Sequence, residues 1–151
     1  MFEHLPADLL EKLATHYEPG ATLCEQDDDT MAMFVLLKGK VEIIRDGKTL
    51  TYLDKPGTIM GEMSALLGRT RTSSIKTVTP VQVVVIDNME SFFIKHPTTA
   101  LTLAKTIAER LLEADKRTFD ALEKLKQYQS GGAAKPDYNQ YLNNVLKSWN
   151  S

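Results

Sequence analysis

The sequence predicts a mainly β fold, an antiparallel β-roll of jelly-roll type flanked by an N-terminal helix and C-terminal helices. Short strand-like runs separated by turn residues carry that prediction: Thr22 to Glu25, Met33 to Leu37, Lys40 to Ile44, Thr49 to Leu53, Arg71 to Val78 and Gln82 to Ile86. Asp46-Gly47, between two of these runs, signals a hairpin, because both positions of such a turn need positive φ. Strands this short and closely spaced, punctuated by Gly39 and Pro56-Gly57, close into a barrel or roll rather than an open sheet.

At the N-terminus, Leu5, Leu9, Leu10 and Leu13 recur at helical spacing, with Pro6 suited to a first turn and Pro19-Gly20 after the end. Gln26-Asp27-Asp28-Asp29 lacks the alternating ligand spacing and the distant glutamate of a calcium loop, so it reads as a solvated turn. Asn88 to Lys95 is a short helix anchored by Met89, Phe92 and Phe93. A long helix runs from Thr98 to about Tyr128 without Gly or Pro. Along it Ala104, Ala108, Leu111, Asp115, Thr118, Leu122 and Leu125 alternate by fours and threes, a heptad-like seam of the kind that pairs two helices. The seam predicts a homodimer through Ala104 to Leu125; the competing reading is a helix packed on its own roll. Ser130 to Pro136 is a glycine-containing break, after which Asp137 caps a last helix with Tyr138, Tyr141, Leu142, Val145 and Trp149 on one face. That helix folds back, engages a partner or hangs free, and the pattern does not choose. The expected organisation is a domain over residues 1–128, a linker over 129–136 and a C-terminal helix over 137–151.

The 151 residues suffice for one domain with appendages. Lys plus Arg 18 against Asp plus Glu 20 leaves a net charge of −2, so no global field draws the chain to nucleic acid or an anionic membrane. Cys24, the only cysteine, excludes an intramolecular disulfide and fits a reducing compartment. No basic start with an apolar stretch follows Met1, and no apolar run is long enough to span a bilayer, so a cytoplasmic protein is expected. His4, His16 and His96 fall in or beside predicted helices, which leaves no histidine on a predicted strand to bind a metal inside a barrel. No G-x-S-x-G or G-x-x-x-x-G-K-[ST] pattern is present, and enzyme activity is not expected. The segment after the glycines is short, aromatic and nearly neutral, unlike a major-groove reading helix, so no nucleic-acid partner is expected.

One stretch carries chemistry. Gly61 ends a β-like run, Glu62 to Leu67 forms a short helix with Met63 and Ser64 in its first turn, and Gly68 suits the left-handed position after it. Arg71, Thr72, Ser73 and Ser74 then present a guanidinium and three hydroxyls. Outward amides at a helix start and a planar guanidinium together suit a phosphate. Glu62 would repel that anion unless it takes a different part of the same ligand, and ribose hydroxyls fit. A phosphate and a ribose hydroxyl close together describe a cyclic nucleotide.

The order Gly61-Glu62, short helix, Gly68, Arg71-Thr72 resembles the phosphate-binding cassette of the cyclic-nucleotide-binding domains of catabolite-activator-type regulators, kinase regulatory subunits and gated channels. Lys38-Gly39-Lys40-Val41 is similar to the Gly-containing turn of that family. The resemblance implies that Glu62 takes the ribose 2′-hydroxyl, Arg71 the cyclic phosphate and Thr72 the hydroxyl position beside it. It also implies that the long helix closes over the base, with contacts near Ala114, Asp115 and Thr118. Asp115 then accepts from a purine, or else faces solvent or pairs with a neighbouring cation. Two departures stand out: Thr70 replaces the proline of many members, and Gln26 to Asp29 replaces residues that are often glycine. The expected function is a stand-alone sensor for cAMP, with cGMP as the alternative ligand, whose C-terminal helices move and alter binding to an effector. The alternatives are a scaffold domain of the same fold whose pocket has lost its ligand, or one that takes a cyclic dinucleotide.

Overall fold

A computed structural model describes residues 12–130 and 137–149. The elements in order are β1 (Ala14–Tyr17), β2 (Thr22–Cys24), β3 (Met33–Lys38), β4 (Val41–Arg45), β5 (Lys48–Leu53), β6 (Ile59–Met60), α1 (Glu62–Leu67), β7 (Ser74–Thr77), β8 (Val81–Ile86), α2 (Met89–Lys95), α3 (Pro97–Ser130) and α4 (Tyr138–Trp149). The strands form two four-stranded antiparallel sheets, β1-β8-β3-β6 and β2-β7-β4-β5, which make the expected β-roll. The chain separates into two compact units, the first ending at Ala100 and the second beginning at Leu101. The roll and α2 belong to the first; most of α3, with α4, makes the second.

The core lies between the sheets. Phe34 and Leu36 of β3 point one way from the pleat and meet Val83 of β8, Val41 of β4, Ile75 of β7, Met60 and Cys24 in one buried cluster. Their neighbours Met33, Val35, Val84 and Ile86 face the other side of the same sheet and are also buried, so β3 and β8 read as continuous apolar runs. Val84, Ile86 and Phe92 of α2 line one cleft on that outer side. Each such side chain removed from water contributes about 1.5 to 3 kcal/mol. The second sheet differs: Leu50 and Tyr52 of β5 stay about half exposed, the pattern of an antiparallel sheet with one wet face. Burial pushes the Cys24 thiol up from its ordinary range, against a smaller opposing pull from the positive charge of Arg71.

The turns follow the sequence closely. Asp46 and Gly47 both take positive φ, 50° and 72°, and join β4 to β5 with Arg45 opposite Lys48. Gly39, at φ 97°, passes so close to the β7–β8 connection that a Cβ there would lie 2.3 Å from the Pro80 carbonyl oxygen. Lys40 holds the two turns together: its N–H donates to Thr79 Oγ1 at 2.9 Å, and its carbonyl accepts from the Val78 N–H at 2.8 Å.

Three expectations change. The N-terminal helix does not reach Pro19: Lys12 and Leu13 are helical, then Ala14 to Tyr17 pairs with β8, and Pro19-Gly20 turns between β1 and β2 instead. Leu5, Leu9 and Leu10 lie outside the described residues. His16 is therefore on a strand, opposite Gln82, which overturns the expectation that no strand carries a histidine. Among the described residues no group of His, Cys, Asp and Glu is arranged to hold a metal. Third, the strand expected from Arg71 starts only at Ser74. The break at Ser130 to Pro136 lies, apart from Ser130 itself, outside the described residues. No described helix is long and apolar enough to cross a membrane.

Candidate ligand site around Arg71

β6 delivers the chain to Gly61, whose φ of 75° turns it abruptly into α1. The Gly68 N–H closes that helix on the Ser64 carbonyl. The Ser64 hydroxyl donates to the Thr70 carbonyl at 3.2 Å, so the segment leading to Arg71 is tied to the helix before it. Ser64 and Glu62 are buried, while Met63 points outward at 58% exposure.

Arg71 is 2% exposed, the largest fully buried side chain among the described residues. Its Nε donates to Thr30 Oγ1 at 3.2 Å, its Nη1 to the Gly61 carbonyl at 3.0 Å and its Nη2 to the Ala32 carbonyl. The guanidinium carbon lies 5.7 Å from the Phe34 ring centre. Its main chain is fixed as firmly, since the Arg71 N–H donates to the Asp28 carbonyl at 2.7 Å and its carbonyl accepts from the Asp27 N–H at 2.8 Å. These three side-chain bonds leave an N–H on each terminal nitrogen for a further acceptor. Glycine at 61 is a condition of the arrangement: a Cβ there would sit 2.6 Å from Arg71 Nη1.

The structure thus brings Gly61 and Arg71 into direct contact, with Glu62 next in the chain. Thr72 is exposed and Ser73 half-buried; the Thr72 carbonyl accepts from Arg45 Nε at 2.8 Å. Asp115 belongs to the second unit, where it accepts from the hydroxyls of Tyr138 at 3.4 Å and Tyr141 at 3.3 Å. Burial first, and the Asp115 charge second, hold both phenols above their ordinary range.

Sequence reasoning missed the residues that fix Arg71. Thr30, Ala32 and the Asp27-Asp28 turn all act on it, the last through main-chain atoms that no side-chain pattern reports. A usable signal was the run of turn-forming residues Gln26-Asp27-Asp28-Asp29. Asp27 takes φ 66° there, a left-handed conformation that Asp tolerates better than most residues. The turn is also braced by Gln26, which exchanges two 2.8 Å bonds with the Asp46 side chain and main chain.

A sequence model of the cyclic nucleotide-binding domain matches residues 14–96, more than half of the chain, from β1 through α2. The chain belongs to the cyclic nucleotide-binding domain family. It is 34% identical over 68 residues to a cGMP-dependent protein kinase, egl-4, of Caenorhabditis briggsae, covering 45% of this chain and 9% of that protein. The chain therefore spans less than a tenth of the kinase it matches. Among solved structures it is similar to the Thermus thermophilus catabolite activator protein, with a TM-score of 0.64 and 27% identity over 87% of this chain and 72% of that one. It is also similar to PKAR CBD2 bound to Sp-2Cl-cAMPS, with a TM-score of 0.55 and 25% identity over 72% of this chain and 70% of that one. The cyclic nucleotide-binding domain matched here includes the whole run from Gly61 to Arg71.

Proposed function

We propose that this chain is a regulatory sensor that binds a cyclic nucleotide between the start of α1 and Arg71, and that occupancy alters its C-terminal helices and hence its affinity for an effector protein. The observation that carries the reading is the Arg71 guanidinium, buried to 2% exposure with neutral oxygens as the acceptors of its three hydrogen bonds. A buried cation is costly unless paired, and an anionic phosphate at the N–H groups that these three bonds leave over supplies a counter-charge with charge-assisted bonds. In this reading Arg71 takes the cyclic phosphate, the amides of Met63 and Ser64 add donors at the helix start, Glu62 accepts from the ribose 2′-hydroxyl, and Thr72 and Ser73 line the same edge. The output is regulatory rather than catalytic, and the setting cytoplasmic.

The ligand is cAMP, with cGMP a close second. A hydroxyl at Thr72 suits the guanine amino group, and the Asp115 carboxylate accepts equally from either purine. The expected result is that cGMP binds within about tenfold of cAMP, a gap of about 1.4 kcal/mol. Calorimetry with each nucleotide on wild type and Asp115→Ala tests it. A preference for cAMP by several orders of magnitude, unaltered in Asp115→Ala, would remove Thr72 and Asp115 from base reading; no heat with either nucleotide would favour a scaffold domain with a lost pocket. The sensor works as a homodimer through α3, a reading supported by Ala104, Ala108, Leu111, Thr118, Leu122 and Leu125, all exposed along one seam. Light scattering that reads a monomer at micromolar concentrations, with and without nucleotide, excludes the dimer.

A further inference from the structure

Arg71 sits in a stretch that no sheet ladder holds. Residues 68–73 lie between α1 and β7, residues 25–32 lie between β2 and β3, and neither stretch belongs to a strand. The place of the Arg71 main chain therefore depends on other bonds, and these run in a closed circuit. The Arg71 N–H donates to the Asp28 carbonyl at 2.7 Å, and the Arg71 carbonyl accepts from the Asp27 N–H at 2.8 Å. Gln26, one residue before that turn, donates through Nε2 to Asp46 Oδ1 at 2.8 Å and accepts at Oε1 from the Asp46 N–H at 2.8 Å. Arg45, one residue before Asp46, donates through Nε to the Thr72 carbonyl at 2.8 Å, and Thr72 adjoins Arg71.

The fixed point of the circuit is the β4–β5 turn, a two-residue connection closed by the Arg45 and Lys48 pair at the end of the ladder. From it, Asp46 grips the loop on one side of Arg71 and Arg45 grips the chain on the other. Glutamine suits position 26 because one amide donates and accepts at once, matching the carboxylate and the main-chain N–H that Asp46 offers together. Its other contacts are a 2.8 Å bond from its main-chain N–H to Ser74 Oγ and a longer one, 3.5 Å, from Nε2 to Asp27 Oδ2. Arg45 and Asp46 are exposed and Gln26 is half-buried, so the circuit closes at the surface rather than in the core. A loop set in place beforehand spares a ligand the cost of ordering it.

We propose that Gln26, Asp46 and Arg45 are positioning residues for the ligand site: the β4–β5 turn braces both flanks of Arg71 and so aims its guanidinium at the phosphate. This rests on the reading of Arg71 as the phosphate contact. The brace acts through the direction of a planar fork, so its effect on affinity depends on arginine being at 71. Opening the circuit at any one bond loosens the same segment.

Two charge-neutral changes test the brace. Gln26→Met deletes both bonds to Asp46 at nearly constant length, whereas Gln26→Glu combined with Asp46→Asn reverses one bond and keeps the other, the introduced amide donating where the native carboxylate accepted. Calorimetry should show cAMP binding about tenfold more weakly to Gln26→Met. The exchanged pair should bring affinity back to within about threefold of wild type, the contact with Asp27 being lost. On an Arg71→Lys background Gln26→Met should cost at most about twofold, because the fork that the brace aims is gone. Wild-type affinity in Gln26→Met, a tenfold loss that persists in full beside Arg71→Lys, or no recovery in the exchanged pair would each overturn the brace while cAMP binding to wild type keeps the site. If neither cAMP nor cGMP gives heat with wild type, the phosphate reading of Arg71 fails and the role of the brace in binding fails with it.

Discussion

Arg71→Ala is expected to weaken cAMP binding by roughly tenfold to over a hundredfold, since charge-assisted bonds to the phosphate contribute about 1.5 to 3 kcal/mol. The substitution also removes the donors to the Gly61 and Ala32 carbonyls and leaves a hole beside Phe34. The Gly61 carbonyl keeps the Ala65 N–H at 3.3 Å, but the part-buried Ala32 carbonyl loses the donor on Arg71, a loss of about 1 kcal/mol or more, so the variant should unfold at lower denaturant as well. Arg71→Lys separates the two effects. It keeps the charge but replaces a planar fork with a point donor, and should restore part of the stability and only part of the affinity. An Arg71→Ala protein that is folded and binds cAMP as tightly as wild type would contradict the site.

Gly39→Ala should be the most damaging single change in the roll. The new Cβ would meet the Pro80 carbonyl oxygen at 2.3 Å and Val81 Cγ2 at 2.8 Å, and it would be forced to φ 97°. Pro80 contributes backbone, not a side chain that can swing away, so the β3–β4 and β7–β8 turns must part. Overpacking and backbone strain each cost about 1 to 3 kcal/mol, which together lower the melting temperature by roughly 10 °C. Circular dichroism of the thermal transition reads this directly, and a midpoint within a degree or two of wild type would mean the turns are not packed as described. Gly47, whose Cβ would meet nothing within 4 Å, is the matched control: its alanine variant carries the backbone strain of φ 72° without the collision.

These two residues also mark how far the sequence could be read. The strands with strong alternation or continuous apolar runs, the Asp46-Gly47 turn and the Asn88 cap, whose side chain accepts from the Ser91 N–H at 2.9 Å, are local signals that the fold preserves. β1 was hidden because it is an edge strand of four residues, two exposed and two half-buried, following a leucine spacing that still looks helical. β6, with two residues, is too short to carry a period. Arg71 was legible as the site's cation, but not as a buried one. Its burial depends on carbonyls at positions 32 and 61 and a hydroxyl at 30, and main-chain acceptors have no residue signature. The contact of Tyr138 and Tyr141 with Asp115 is polar, non-local and set by where α4 lies, so the amphipathic pattern of that helix left its destination open.

The central claim is that the cyclic phosphate is held between the start of α1 and Arg71. Hydrogen-exchange mass spectrometry with and without saturating cAMP tests it most directly. The account predicts slowed exchange in peptides spanning residues 61–73, where ligand oxygens take the helix-start amides and tie Arg71 to them. Unchanged exchange across that span, with protection only elsewhere in the chain or nowhere at all, would contradict it.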